Sequence, residues 1–261
     1  MTSDLLIETD RPMLETINVS KHFLGVVALD DVSIQVRKGD FISIIGPNGS
    51  GKTTLFNCIT GFLPTSSGRV LYRGKDIAGM RPFEIAATGI SRTFQDVRVF
   101  PSLSVTENLL LAAQQHQEDN IVKRFLRTRQ IRHFEQEATA RAVELLEMVG
   151  LTHLRGEPAG NLSYGQRKLL EFARALVPDP DLIMLDEPAA AVNPAMIESM
   201  KRFIRELHSA GKTFLVVEHN MGVVMDLSQH IIVLDAGHKI AEGSPAEIQR
   251  NERVVEAYFG R

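Results

Sequence analysis

The stretch Phe41-Ile42-Ser43-Ile44-Ile45-Gly46-Pro47-Asn48-Gly49-Ser50-Gly51-Lys52-Thr53-Thr54 carries the strongest structural signal in this chain of 261 residues. Its first five residues are mostly apolar and β-prone, which predicts a buried strand. Residues 53–60 are predicted to form a helix that stops at Gly61. Between strand and helix, the sequence fits the pattern G-x-x-x-x-G-K-[ST]. The sequence therefore predicts a strand, a glycine-rich loop and a helix in direct succession.

This loop has the residues that a triphosphate site needs. Its glycines let backbone N–H groups approach phosphate oxygens closely, and the following helix directs its positive end at them. Lys52 supplies charge to the β- and γ-phosphates, and Thr53 offers a hydroxyl to Mg²⁺. A glycine-rich turn with a chance lysine would not be expected between a strand and a helix. The loop thus predicts binding of a nucleoside triphosphate with Mg²⁺.

Two further strand ends carry candidate catalytic side chains. An apolar strand over 182–185 is followed by Asp186, predicted to hold Mg²⁺ through water, and by Glu187, predicted to polarise the attacking water. A second apolar strand over 213–217 leads to His219, which can hydrogen-bond a γ-phosphate. Acidic turns and strand-end histidines are also common structural features. The phosphate loop upstream favours the catalytic interpretation of both motifs over the structural one.

Bulk composition narrows the class of protein. The chain is 44% hydrophobic and 23% charged with a net charge of −3, whereas nucleic-acid-binding domains are typically strongly basic. Cys58 is the single cysteine, so an internal disulfide is excluded and a reducing compartment fits. No stretch reaches ~18 consecutive apolar residues, and the acidic N-terminus lacks the basic region of a signal peptide. We expect a cytosolic protein that acts on a membrane only through a partner.

The order of elements predicts the fold class. Strand and helix patterns alternate, which favours a mostly parallel sheet. A further strand is predicted over 69–75. Ser104 and Glu107 form a capping-box pattern that opens a helix, inside a helical insertion at about 97–172. Ser244 and Glu247 give the same signal for a final helix.

One short segment points to a family. Leu162-Ser163-Tyr164-Gly165-Gln166 resembles the L-S-G-G-Q signature of ATP-binding cassettes, and it lies shortly before the acidic strand, as in that family. Gln95, in Arg92-Thr93-Phe94-Gln95, resembles the glutamine of the family's glutamine loop, and His219 resembles its switch histidine. Phe23 lies where the family has an aromatic that stacks on adenine. These ordered motifs span nearly the whole chain.

The resemblance implies a fold and a division of the chain. The expected fold is α/β, a RecA-like P-loop NTPase core with a mostly parallel sheet, an N-terminal antiparallel β part and a helical insertion. Residues 13–261 would form one ATPase domain, with the core at about 13–96 and 173–261 and the helical subdomain at about 97–172. Ser163 and Gly165 at a helix N-terminus form an anion site, which in the family completes the nucleotide pocket of the opposite subunit.

The resemblance also implies the site residues, with ATP and Mg²⁺ as cofactors. The catalytic residues would be Glu187, His219 and Gln95. ATP contacts are expected at Phe23, Gly46, Pro47, Asn48, Gly49, Ser50, Gly51, Lys52, Thr53 and Thr54. Contacts to the ATP of the opposite subunit are expected at Ser163, Tyr164, Gly165 and Gln166. Metal contacts are expected at Thr53, Gln95 and Asp186.

Three stretches resemble importers of branched-chain or other hydrophobic amino acids: residues 92–108, the segment 186–194, and the tail 254–260. Tyr164 in place of the first signature glycine and Asn193 in place of an aspartate are departures from many cassettes. Ala191 and Val192 depart from the D-E-P-A-A-G-L-N-P of these importers. The resemblance implies two membrane permease subunits, a second cassette in a homo- or heterodimer, and an external solute-binding protein that acts indirectly. It places the chain on the inner face of a bacterial membrane.

Alternatives remain at this stage. A cassette of a lipid or lipopolysaccharide exporter has similar size and motif order, and a soluble cassette ATPase acting on ribosomes or DNA usually has two cassettes or a long coiled coil. The cargo is open, because the cassette does not touch it. A basic stretch at 123–132 could contact anionic lipid or a permease loop, but a solvated helix face is the favoured interpretation.

Overall fold

The computed structural model describes residues 11–113 and 129–259. Residues 123–128 of the basic stretch lie outside these ranges, and residue 129 begins a helix.

Within the described ranges the strands form two sheets, which confirms the predicted fold class. The strands are β1 Leu14–Phe23, β2 Val26–Val36, β3 Phe41–Ile45, β4 Ser67–Tyr72, β5 Lys75–Asp76, β6 Ile90–Arg92, β7 Leu182–Asp186, β8 Thr213–Val217, β9 His230–Asp235 and β10 His238–Gly243. One sheet has the order β2-β1-β4-β5 and is antiparallel. The other has the order β10-β9-β3-β8-β7-β6 and is parallel from β9 to β6.

Helices alternate with the strands of the parallel sheet. Those of the described residues are α1 Lys52–Ile59, α2 Pro82–Ala86, α3 Val105–Ala113, α4 Arg129–Met148, α5 Tyr164–Leu176, α6 Pro194–Ser209, α7 Met221–Leu227, α8 Pro245–Gln249 and α9 Glu252–Phe259. The predicted capping box precedes α3, since the Ser104 amide donates to Glu107 (2.7 Å) and the Glu107 amide donates to the Ser104 hydroxyl (3.2 Å). Among these helices, none combines the length and apolarity that crossing a bilayer requires.

The centre of the parallel sheet positions the functional loops. Every residue of β3, β7 and β8 is buried, which is why these strands are continuous β-prone, mostly apolar runs in the sequence. Ile44 of β3 pairs with Val217 of β8, and Val217 in turn pairs with Asp186 of β7. The three carboxyl ends therefore meet at one edge of the sheet, the edge where ligands bind in open α/β folds.

One strand prediction needs correction. The segment 69–75 is not one strand: β4 ends at Tyr72, Arg73 and Gly74 both have positive φ (51° and 76°), and β5 then pairs back with β4. A two-residue turn with both φ values positive is the favoured connection of a hairpin. The parallel sheet also ends in an antiparallel edge strand, because β10 folds back on β9.

By internal packing the chain divides into two units. The first runs up to Arg92 and adds 181–190 and everything from 205 onward, so it contains both sheets and the helix after the glycine-rich loop. The second comprises 93–180 and 191–204. In the second unit α3, α4 and α5 pack against one another, and each carries buried apolar residues, such as Leu109, Leu145 and Leu170.

Cys58 lies on the buried face of α1, where 3% of its surface is exposed. Burial raises the pKa of the thiol to about 11. Since the thiolate is the nucleophile, we expect maleimide at pH 8 to label the native protein at least about a hundredfold more slowly than the chain unfolded in guanidinium. Mass spectrometry over a time course measures both rates. Equal rates would contradict the buried position of Cys58.

Candidate active site

The glycine-rich loop connects β3 to α1 in a backbone conformation that residues with a side chain disfavour. Gly46, Gly49 and Gly51 have φ of 152°, 81° and 100°. A Cβ at Gly46 would lie 2.0 Å from the carbonyl oxygen of Leu234, and one at Gly51 would lie 2.6 Å from that of Ala28. Backbone packs on backbone at both positions, so neither contact can be relieved by a side-chain rotation. The glycines are therefore required by the shape of the loop.

The side chain of Lys52 is enclosed by its own loop. Its ammonium donates to the carbonyl oxygens of Gly46 (2.8 Å) and Pro47 (2.9 Å) and to the hydroxyl of Ser50 (3.3 Å). Burial lowers the pKa of Lys52, and the nearby carboxylates of Glu187 and Asp186 oppose that shift. One cation and two anions thus interact at the carboxyl edge of the parallel sheet.

Glu187 and His219 face each other at this edge. Nε2 of His219 lies 2.9 Å from Oε1 of Glu187. The amide of Glu187 donates to the carbonyl of Val217, at the end of β8 (2.8 Å). The backbone of Glu187 has φ of 50°, the left-handed region that side chains disfavour. Such geometry at a candidate catalytic residue is typical of functional sites.

Glu218, a residue with no predicted role, joins the loop after β7 to the loop after β8. The carboxylate is buried and accepts from the amides of Ala189 (2.7 Å), His219 (2.7 Å) and Asn220 (2.8 Å). It thus ties the loop after β7 to the loop after β8. The signal available beforehand was an ionisable residue directly after an apolar strand.

The donor set at this edge fits magnesium. Thr53, in the first turn of α1, is exposed and offers a hydroxyl, while Asp186 is 2% exposed and offers a carboxylate. Hard oxygen ligands of this kind are what Mg²⁺ prefers, usually with water and phosphate oxygens in the remaining positions. The residues present therefore fit the ion.

Phe23 lies at the end of β1 and is 41% exposed, with the ammonium of Lys21 at 4.9 Å from its ring centroid. The strand that pairs with β1 packs against the phosphate loop, since a Cβ at Gly51 would lie 2.6 Å from the carbonyl oxygen of Ala28 and 2.8 Å from the side chain of Leu29, both on β2. The hairpin that carries Phe23 is therefore fixed against that loop.

The second unit contains Gln95 and the signature residues. Glu171 of α5 accepts from the amide of Phe94, the residue before Gln95 (3.3 Å). Burial raises the pKa of Glu171. The same helix begins at Tyr164, so the glutamine segment and the signature are both attached to α5.

The signature forms the N-terminal cap of α5. Ser163 accepts from the Gln166 amide (3.3 Å), and the Gln166 side chain accepts from the Ser163 amide (2.9 Å). A Cβ at Gly165 would lie 2.5 Å from the sulfur of Met196. Ser163 and Tyr164 are exposed, which leaves this helix start accessible.

Helix α9 brings Tyr258, noted above only as part of the tail, towards the phosphate loop. Burial raises the pKa of Tyr258, and the backbone of Gly46 opposes that shift. Because the side chain is still 38% exposed, we expect Tyr258→Phe to lower the free energy of unfolding by only about 0.5 kcal/mol through loss of this interaction. Urea unfolding followed by circular dichroism measures the difference.

The matched control is Tyr72→Phe. The hydroxyl of Tyr72 is buried and has no hydrogen-bond partner among the described residues, so its removal should cost nothing. An equal loss of stability in both variants would show that the interaction of Tyr258 with the Gly46 backbone contributes nothing.

Comparison with known proteins agrees with this geometry. Residues 29–190 match the family described as ABC transporter, and residues 238–261 match the family described as branched-chain amino acid ATP-binding cassette transporter. BraF of Pseudomonas aeruginosa, named a high-affinity branched-chain amino acid transport ATP-binding protein, is 41% identical over 96% of this chain and 98% of its own. A probable LivG of Archaeoglobus fulgidus is 43% identical over 95% of each chain.

Solved structures show the same fold. An ATP-binding cassette of an ABC transporter in its ADP conformation, MJ1267, superposes with a TM-score of 0.82 at 39% identity, covering 96% of this chain and 99% of its own. A dimeric cassette, MJ0796, in a post-hydrolysis state with ADP and phosphate, gives 0.76 at 27% identity over 89% and 99%. The chain therefore belongs to the family of ABC transporter ATP-binding cassettes, the ATPases that drive transport.

Proposed function

We propose that this chain is the ATP-hydrolysing subunit of an importer for branched-chain amino acids, or for other hydrophobic amino acids or related amides. The observation that carries the proposal is the match of residues 238–261 to a family named for branched-chain amino acid cassettes. This segment lies outside the cassette match at 29–190, so it adds information on the subgroup. The names of relatives at 39–43% identity support the same cargo class.

ATP would bind with its phosphates in the glycine-rich loop. The backbone N–H groups of residues 48–54 and the positive end of α1 stabilise the phosphate charge. Lys52 can exchange its carbonyl partners for phosphate oxygens without leaving the loop, since all three present acceptors belong to residues 46–50. Phe23, exposed on the adjoining hairpin, would stack on the adenine.

Hydrolysis would depend on the edge formed by β7 and β8. Thr53, Asp186 and Gln95 are the residues proposed to hold Mg²⁺, which neutralises developing charge on the phosphates. Glu187 orients the attacking water and accepts its proton. His219, 2.9 Å from Glu187, positions that carboxylate and can donate to the γ-phosphate.

The signature residues would serve a second cassette. Ser163, Tyr164, Gly165 and Gln166 form an exposed helix start, which attracts anions. The related cassette MJ0796 is dimeric in its post-hydrolysis state. Two cassettes would close around ATP and open after hydrolysis, and this movement would drive two permease subunits fed by an external binding protein. The chain would then sit on the inner face of the cell membrane.

The test is affinity purification of tagged Glu187→Gln from detergent-solubilised cells with Mg-ATP, because a cassette that binds without hydrolysing should stay assembled. We expect two hydrophobic permeases and a second cassette to co-purify. Tagged Lys52→Ala, which should not bind ATP, is the matched control. Recovery of lipid-export, ribosomal or DNA-bound components would overturn the importer assignment.

A further inference from the structure

A buried arginine lies behind the proposed magnesium site. Arg92 ends β6, and its side chain is 5% exposed. One guanidinium nitrogen (Nη2) donates to Oδ2 of Asp186 at 2.9 Å, and the Asp186 side chain is 2% exposed. Both charged groups of this ion pair are therefore shielded from water.

The other terminal nitrogen of Arg92 is fixed by α1. Nη1 donates to Oδ1 of Asn57 (2.8 Å) and to the hydroxyl of Thr60 (2.8 Å). The hydroxyl of Thr60 donates in turn to the carbonyl of Phe56 (2.7 Å), so its lone pairs are left to accept from Arg92. The guanidinium thus links Asp186 to the last turn of the helix that begins at Lys52.

Aromatic rings complete the enclosure. The guanidinium carbon lies 5.4 Å from the ring centroid of Phe56 and 5.8 Å from that of Phe62. Arginine can bond on two sides and contact ring faces at once, because its planar fork has fixed geometry, whereas lysine is a flexible point charge. The surroundings therefore select for arginine and hold it in one orientation.

Burial of the Arg92–Asp186 ion pair costs desolvation free energy, so stability alone does not explain the pair. A buried ion pair rarely adds net stability over apolar residues of the same volume. The partner here is the carboxylate proposed to hold Mg²⁺, and residues behind metal ligands commonly fix the orientation of those ligands. Ordinary packing does not require a charge at this position.

We propose that Arg92 is a positioning residue that fixes the Asp186 carboxylate for Mg²⁺ by locking it to the helix after the phosphate loop. This inference rests on the proposed role of Asp186 as a magnesium ligand.

The decisive variant is Arg92→Lys, because it keeps the positive charge and removes the fork. It is placed in the Glu187→Gln background, and ATP binding is measured by calorimetry in EDTA and across a magnesium titration. We expect unchanged ATP affinity in EDTA. The Mg²⁺ concentration at which ATP affinity reaches half of its full magnesium-dependent change should rise about tenfold or more. The control is Arg73→Lys, in the exposed ion pair of Arg73 with Asp181, which should leave both quantities unchanged.

A double-mutant cycle separates positioning from general stability. In an Asp186→Asn background, Arg92→Lys should have no further effect on magnesium dependence, because the carboxylate that it positions is gone. Thr60→Val should shift magnesium dependence in the same direction by a smaller factor, and it serves if Arg92→Lys fails to fold.

Two outcomes are informative in different ways. If Asp186→Asn changes magnesium dependence but Arg92→Lys behaves like Arg73→Lys, or acts equally in both backgrounds, the positioning role is overturned alone. If Asp186→Asn leaves magnesium dependence unchanged, the proposed metal role of Asp186 is overturned, and the role of Arg92 with it.

Discussion

Glu187→Gln is expected to lower the rate of ATP hydrolysis by about 10²–10⁴-fold while ATP binding is retained. Glutamine has the same shape, but it cannot accept a proton from water. It can still accept from His219, which lies 2.9 Å from the carboxylate. The phosphate loop is untouched, so the contacts proposed to bind nucleotide remain.

Steady-state hydrolysis and equilibrium ATP binding, measured on the same preparation, test this expectation. Glu206→Gln, at an exposed position on α6, is the control and should be fully active. Normal hydrolysis in Glu187→Gln would remove Glu187 from the catalytic role. Loss of ATP binding would instead assign the residue to the nucleotide pocket.

Glu218→Ala is expected to impair both folding and hydrolysis. Three amides lose their acceptor: the bond from Ala189 is buried, whereas those from His219 and Asn220 are part-buried and water can partly replace them. A buried donor left without a partner costs about 1–3 kcal/mol. We expect a loss of about 2 kcal/mol or more in the free energy of unfolding, with hydrolysis at least about tenfold slower even where the variant is folded. The catalytic loss follows because Glu187 and His219 lie in the two loops that Glu218 joins.

Urea unfolding and hydrolysis at low temperature measure these two effects separately. Glu206→Ala supplies the matched control, because it removes an exposed carboxylate of the same size. Glu218→Gln should fall between the wild type and Glu218→Ala, since the amide oxygen can accept only part of the set. Wild-type stability in Glu218→Ala would show that the three amides find other acceptors.

The sequence predicted the elements whose local pattern agrees with their environment. The buried strands β3, β7 and β8 are β-prone, mostly apolar runs, and the phosphate loop needs glycines at fixed spacing. The strands and the loop could therefore be predicted from the sequence. The hairpin at Arg73 was missed because a positive φ at an arginine leaves no compositional signal beyond the glycine after it. The return of β10 on β9 depends on pairing between strands, which strand propensity does not encode.

The site residues that the sequence did not predict were missed for a different reason. Glu218, Arg92 and Tyr258 interact with residues far away in the chain: Glu218 and Ala189 are 29 residues apart, and Arg92 and Asp186 are 94 apart. A charged residue beside an apolar strand is common in any sequence. Only the fold shows that the charges of Glu218 and Arg92 are buried and which groups they contact.

The left-handed backbone at Glu187 has a consequence for protein engineering. A side chain in this region costs about 1 kcal/mol that glycine or asparagine would largely avoid. Selection for thermal stability alone would therefore favour replacing the very residue on which hydrolysis is proposed to depend, so a stabilised variant library of this chain should hold position 187 fixed or be screened for ATPase activity at every round.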